Sequence, residues 1–559
     1  MPVLDWLGKN AVINHHNEVP YRLIHCNGSL SSGDKDSGNL LVQGDNLLAL
    51  KALLPHYAGQ VKCIYIDPPY NTGNEGWVYN DNVNSAEIRK WLGKVVGKEV
   101  EDLSRHDKWL CMMYPRLSLL KEFLRDDGVI FVSIDDNAMP YLRLLMDEIY
   151  DGKNFVAQLP TIMNLKGNND QFGFSGTHEY TLVYAREINK LSLESFSLNE
   201  EEFENWQQDD KGFFKQGANL KATGIDGSRE KRPNLYFPIY ISDNLDVSLD
   251  FHSGWNELLP ITNGQDMRWR WSKEKFSKDL DEVIVTRTKE GFSIYKKQRP
   301  SLGDLPSTKP KSLFYKPSYS SGNGTALLKD ILGNRLFNNP KPLDLIKDFL
   351  VIGSGQNDLI LDSFAGSGTT GHAVLQANAE DSSNRRFILV EMDKTIAQEV
   401  TAQRLTKVIG GYFKNGDTDK PVAGLGGGFR FCRLGKPLFD EWGELMGEAT
   451  FSDIAAHVFF IETGSPIPKK ANGDTPFIGA FNGKAVYLLY SAENTGLPLT
   501  DADNILTPEL LPQLALPQEC EAGSERVVYA EHCTLSHEQL QQENITFHQI
   551  PYHLTREGK

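Results

Sequence analysis

Residues 358–378, DLILDSFAGSGTTGHAVLQAN, decide the fold. The apolar run DLILDSF (358–364) reads as a buried strand and GTTGHAVLQAN (368–378) as a helix, joined by a turn that contains Gly366 and Gly368. A strand ending in acidic Asp362, a glycine turn and a helix together place backbone N–H groups at the carboxyl edge of a sheet. That is where α/β folds bind ligands. No Lys-Ser/Thr pair follows the glycines, as a phosphate loop requires, and the dinucleotide spacing GxGxxG is absent. Tight packing of helix on strand explains such a turn as well as a ligand does. The following strand, RRFILVEMD (385–393), places Glu391 at its tip. A carboxylate there can accept both hydroxyls of a ribose, which favours a nucleoside over a phosphate; a solvated strand end is the plainer alternative.

Working outward, LDLIKDFLVIG (343–353) reads as a helix. Far upstream, VKCIYID (61–67) and GVIFVSID (128–135) read as buried strands around a helix at 115–127, with Leu117, Leu120, Phe123 and Leu124 at helical spacing. Strand, helix, strand implies a parallel sheet covered by helices, so the expected class is α/β, built from residues 1–150 and 336–415. Between them, 151–335 is Gly- and aromatic-rich without strong periodicity and reads as an inserted recognition region. VAGLGGGFR (422–430) reads as a linker, and 430–559 as a small acidic α/β domain with strands at 484–491, 525–533 and 545–554 and helices near 506–515 and 536–544.

The composition, 40% hydrophobic and 24% charged, is that of a globular chain. MPVLDWLGKN lacks a targeting pattern, and no apolar run approaches the roughly 18 residues that span a bilayer, so the expected location is the cytoplasm, away from membranes. The six scattered cysteines suggest neither a metal site nor a disulfide framework. The net charge of −16 argues against a polyanion partner, but it is unevenly spread. Residues 268–316 hold 13 Lys+Arg against 6 Asp+Glu, interleaved with Trp269, Trp271, Phe276, Phe292 and Tyr295, whereas 421–559 hold 9 against 18. The basic stretch suits a nucleic-acid face or an ordinary solvated surface equally.

Asp67-Pro68-Pro69-Tyr70 follows the run IYI (64–66), with Asp67 at the strand's tip. Consecutive prolines enforce extended or turn geometry and leave carbonyls free. A strand-tip carboxylate, a rigid carbonyl and an aromatic ring suit a planar base bearing an amino group. A rigid strand-to-loop turn is the simpler account.

Taken together, DPPY at 67–70 followed by FAGSG at 364–368 resembles the β-group DNA amino-methyltransferases. LVQGDNLLAL, RHDKWLCMMYPRL, HEYTLVYAR (178–186), RPNLYFPI and NPKPLDLI (339–346) match further, and the whole is similar to the modification subunits of type III restriction-modification systems over about residues 35–410. The resemblance implies a Rossmann-like methyltransferase sheet in permuted motif order that transfers methyl from S-adenosylmethionine to the N6 amino group of adenine in double-stranded DNA. It implies a catalytic pocket of Asp67, Pro68, Pro69 and Tyr70. It also implies a donor site of Phe364, Ala365, Gly366, Gly368 and Thr369, with Asp362 at the donor's amino acid end, Glu391 on the ribose, Asp45 on the adenine, and Lys341 with Pro342 on the donor side. Expected partners are duplex DNA, a restriction-helicase subunit and a second copy of the chain. No cysteine follows a proline, which disfavours cytosine C5 methylation. Cytosine N4 methylation and a catalytically silent specificity subunit remain the alternatives.

Overall fold

Nine strands drawn from both halves of the chain pair into one sheet. The computed structural model describes residues 4–70, 104–167, 173–197, 204–223, 226–289, 291–300, 307–440, 445–446, 449–491, 504–518, 520 and 523–550. In chain order the strands are β1 (Arg22–Gly33), β2 (Leu40–Gln43), β3 (Val61–Ile66), β4 (Leu124–Ile134), β5 (Phe155–Ile162), β6 (His178–Ala185), β7 (Leu359–Asp362), β8 (Arg386–Glu391) and β9 (Gly428–Pro437). Across the sheet they run β1-β9-β2-β8-β7-β3-β4-β6-β5. The six from β9 to β4 are mutually parallel, β1 is antiparallel to β9, and β6 is antiparallel to β4 and β5. Every residue of β3 and β7 is buried, as a strand covered on both faces requires.

The covering helices are α1 (Asn46–Tyr57), α2 (Arg105–Phe123), α3 (Leu343–Gly353), α4 (Thr369–Asp381) and α5 (Ala402–Gly410). The helix expected at 115–127 begins earlier, because Ser104 and Asp107 form a reciprocal capping box, and ends at Phe123, where β4 takes over the chain. From β7 the chain passes through α4 to β8 on one side; from β3 it passes through α2 to β4 on the other. Strand order therefore reverses between β7 and β3, and their carboxyl tips border the crevice where such sheets take ligands.

Three readings of the sequence change here. Residues 155–162 and 178–185, placed in the insert, are strands of the large sheet, and the separate compact unit is Ser195–Pro310. That unit has a four-stranded antiparallel sheet and a core of Leu220, Phe237, Ile239, Ile241, Trp269, Phe276 and Ile294. Trp269 and Phe276 are thus core residues rather than part of an aromatic face, and Lys297 and Arg299 are spent on Asp209. Second, the segment read as a linker ends in β9, which lies between β1 and β2. Gly426 and Gly427 adopt positive φ, and a Cβ on Gly33 would stand 2.2 Å from the Gly427 carbonyl, so the glycines serve a close backbone approach. Third, Cys26 and Cys432 face each other in the β1–β9 register and are joined as a disulfide, which a separation of 406 residues hides from any spacing argument.

Beyond β9, helix α6 (Phe451–Thr463) packs on a sheet of β10 (Phe477–Phe481), β11 (Lys484–Leu488), β12 (Glu525–Ala530) and β13 (Ile545–Gln549), the last three parallel. The helix expected near 506–515 is a 3-10 turn at Pro508–Leu514, and the expected strand end at 551–554 lies outside the described residues. Leu23 of β1 shares the core of Ile454, Val458, Val486 and Val527, so this tail is packed onto the large sheet. Among the described residues no helix is long and apolar enough to cross a membrane.

Candidate functional site

The prolines end β3. Without N–H donors at 68 and 69 the ladder cannot continue, which leaves Asp67 at the carboxyl tip with its side chain 17% exposed. The turn is held from α2, where the Trp109 indole N–H donates to the Pro69 carbonyl at 2.7 Å. Asp67 Oδ1 is buried and accepts no hydrogen bond among the described residues, although Lys341 Nζ stands 3.3 Å away. Burial pushes the Asp67 carboxyl above its ordinary range, with Lys341 pulling it down and Glu179 pushing it up.

Lys341 reaches this position from the segment before α3, where Asn339 takes a left-handed φ of 50° and Pro340 and Pro342 fix the chain on either side. Its ammonium donates to Glu179 Oε1 at 2.6 Å and to the Tyr70 hydroxyl, and it lies 4.9 Å from the centre of the Tyr70 ring. The Tyr70 hydroxyl in turn donates to Glu179 Oε2 at 3.1 Å. Burial alone would lower the Lys341 pKa, but Asp67 and Glu179 hold it above its ordinary value.

The second half of the site is the glycine turn. Asp362 ends β7, its carboxylate accepting from the Phe364 N–H at 2.9 Å and the Thr370 hydroxyl at 2.5 Å, and burial pushes its pKa up to about 7. Gly366 and Gly368 have φ of 52° and 77°, where a side chain would be strained. The Gly366 N–H donates to Glu391 Oε2 and the Asp393 N–H to Glu391 Oε1, both at 2.8 Å. Beneath the turn lies Arg404 of α5, donating to Ser367 Oγ at 3.1 Å and Thr369 Oγ1 at 2.8 Å, with His372 Nδ1 3.2 Å from its guanidinium. No carboxylate pairs with this cation among the described residues, and burial lowers its pKa to about 9.

Asp67, Lys341, Asp362, Phe364, Ala365, Gly366 and Thr369 line one cleft, together with Tyr65, Phe337 and Asn339. The other predicted residues surround it. Tyr70, Pro68 and Pro69 form the adjoining turn, and Gly368 caps α4. Asp45 caps α1 through the Leu48 N–H and pairs with Arg116 at 3.0 Å, two residues past Gln43, which is in register with Glu391. Glu391 is 2% exposed, its carboxylate bracing the turn. Glu179, Trp109 and Arg404 were not singled out from sequence. Glu179 lies in the HEYTLVYAR segment that matches the family, so a signal existed for it, whereas nothing in the residues around Arg404 marks it.

The family model described as DNA methylase matches residues 61–403. The chain belongs to the DNA methylase family. The chain is 44% identical over 422 residues to the Mod subunit of the type III restriction-modification enzyme EcoPI of Escherichia phage P1, covering 72% of this chain and 65% of that one. It is 28% identical over 509 residues to the Mod subunit of the type III enzyme StyLTI of Salmonella typhimurium, covering 86% and 73%. The methylase thus spans somewhat under two thirds of the phage protein. Among solved structures, the PvuII cytosine-N4-specific DNA methyltransferase aligns with a TM-score of 0.34 at 13% identity, over 67% of this chain and 89% of that one.

Proposed function

We propose that this methylase transfers the methyl group of S-adenosylmethionine to the N6 amino group of adenine in double-stranded DNA, as the modification subunit of a type III restriction-modification system. The observation that carries the reading is Asp67 Oδ1, a buried acceptor without a hydrogen-bond partner among the described residues, in the same cleft as the glycine turn. The residues fit the donor: the turn is cleared of side chains at Gly366 and Gly368, Asp362 and Lys341 offer opposite charges for the ammonium and carboxylate of an amino acid, and Asp45 stands at the tip of β2 for the nucleoside. Glu391 offers a ribose only those lone pairs that its existing partners, the Gly366 and Asp393 N–H groups among them, leave. Bound there, S-adenosylmethionine supplies an electrophilic methyl group on a sulfonium.

The chain's own task is to orient and sharpen a poor nucleophile, since the lone pair of an exocyclic amine is delocalised into the purine. Asp67 and the Pro68 carbonyl accept hydrogen bonds from the two amino hydrogens, which localises the lone pair on nitrogen, Tyr70 stacks on the ring, and the proton that the nitrogen sheds once methylated passes to Asp67. Bringing adenine out of the duplex costs a few kcal/mol, which this stacking partly offsets. The unit Ser195–Pro310 supplies DNA contacts, with the exposed cations Arg270, Lys278, Lys289, Lys296 and Lys309, none in an ion pair among the described residues, on phosphates. A restriction-helicase subunit and a second copy of the chain are the proposed protein partners.

The test is expression of the chain and of Asp67→Ala in a methylation-deficient bacterium, followed by single-molecule sequencing and nucleoside mass analysis of its DNA. N6-methyladenine at one short motif, lost in the variant, is the expected result. Methylcytosine instead, or unmodified DNA from a folded chain that binds the donor, overturns the reading.

A further inference from the structure

One buried cation stands between two buried carboxylates at the catalytic tip, and its distances to them are unequal. Lys341 Nζ hydrogen-bonds Glu179 Oε1 at 2.6 Å but stands 3.3 Å from Asp67 Oδ1, which accepts no hydrogen bond among the described residues. All three side chains are nearly closed to solvent, at 10%, 13% and 17% exposure, so water cannot substitute freely for any partner. The sheet sets this up. Because β6 is antiparallel to β4 and Tyr180 is in register with Ile134, the last residue of β4, Glu179 projects past the carboxyl tips of the parallel strands, at the same edge as Asp67.

The consequence for an acceptor is specific. A lysine hydrogen-bonded to Asp67 would occupy the lone pair that the incoming amino group needs, whereas no cation nearby would let the buried carboxyl take up a proton and cease to accept. Lys341 avoids both by donating its hydrogen bonds to Glu179 and Tyr70 while keeping an ion pair with Asp67 at 3.3 Å. The same glutamate accepts the Tyr70 hydroxyl through its other oxygen, at 3.1 Å, so one side chain fixes the lysine and the aromatic ring together.

We propose that Glu179 is a positioning residue for methyl transfer, holding Lys341 close enough to Asp67 to keep it ionised but off the lone pair that receives the target amino group. This rests on the methyltransferase reading above. Loss of Glu179 releases the lysine to close onto Asp67, so the defect is transmitted through Lys341 and, at a pH alkaline enough to ionise Asp67 without its cation, is relieved by removing Lys341 as well.

The experiment measures kcat at saturating S-adenosylmethionine, at neutral and at alkaline pH, on duplex DNA carrying the motif that genomic mapping defines. The proteins compared are the wild type, Glu179→Gln, Lys341→Met and the double variant, each checked for folding by circular dichroism. Glu179→Gln is expected to lower kcat about tenfold or more, and the double variant to recover several-fold of that loss at alkaline pH. A double variant as slow as or slower than Glu179→Gln at alkaline as well as neutral pH, or wild-type kcat in Glu179→Gln, overturns the proposal. Should Glu179→Gln fail to fold, Glu179→Asp, alone and with Lys341→Met, carries the same comparison. A wild-type chain that binds donor but methylates no DNA defeats the underlying reading instead, so the two failures are distinct.

Discussion

Replacing Asp362 by asparagine is expected to make the protein more stable at alkaline pH while weakening its hold on the methyl donor. Asp362 is fully enclosed at the tip of β7, and burial, opposed by the Thr370 hydroxyl and the Phe364 N–H, raises its pKa from 3.8 to about 7. An acid with a raised folded-state pKa holds its proton in the native protein after the unfolded chain has released it. Its stabilisation is therefore complete below 3.8 and is lost as pH rises through about 7. Asparagine keeps the acceptor for Phe364 and leaves Thr370 free to turn its hydroxyl and accept, without ever ionising. The advantage of Asp362→Asn over the wild type should grow by about 3 kcal/mol between pH 5 and pH 8. At about 2 °C per kcal/mol for a large core, the Tm difference should widen by about 6 °C. Thermal melts across that range measure it, and calorimetric titration of S-adenosylmethionine measures the expected loss of donor affinity. A Tm difference independent of pH, or undiminished donor binding, would refute the account of Asp362 as a strained carboxylate kept for the donor.

Asp67→Asn should lower kcat by about 10²–10³-fold, the usual consequence of losing one preorganised polar partner. Its Tm should hardly change, because Lys341 keeps Glu179. In the wild type, single-turnover rates should fall with decreasing pH at a value above the ordinary aspartate range, since Asp67 must be ionised to accept and its pKa is raised. Trp109→Phe removes the donor to the Pro69 carbonyl and should slow turnover several-fold with donor affinity unchanged, as stopped-flow and equilibrium binding will show. Arg404→Met leaves Ser367 and Thr369 without their shared donor, and should weaken donor binding about tenfold while the carboxylate-bearing turn at Asp67 is unaffected.

The parallel centre of the sheet was legible because its strands are continuous apolar runs, and VKCIYI, LILD and RFILVE fall within a residue or two of where they were expected. The pairing of the two strand tips was legible only through the order of DPPY and FAGSG. Periodicity shows that each is a strand end, but not that Leu361 stands beside Ile64. What escaped notice depended on partners remote in sequence. β9 opens with glycines that look like a linker until β1 and β2 are placed on either side, and Trp269 and Phe276 look like an exposed aromatic series until their own unit folds round them. Glu179 was hidden differently. A single acidic residue at the start of a strand is ordinary, and only the antiparallel direction of β6 brings it to the edge where Asp67 ends its strand.

The position of β9 also bears on how the protein is made. It is the last strand of the large sheet to be synthesised, yet it belongs between β1 and β2, among the first. A chain emerging from the ribosome must therefore keep two early strands apart, with a gap between them unfilled, until nearly four hundred further residues have appeared. Contacts this distant in sequence form slowly and leave unpaired strand edges exposed while they wait. A methylase built this way can complete its sheet only after its insert and its glycine turn have been translated, so an incomplete chain lacks the strand that fills the gap.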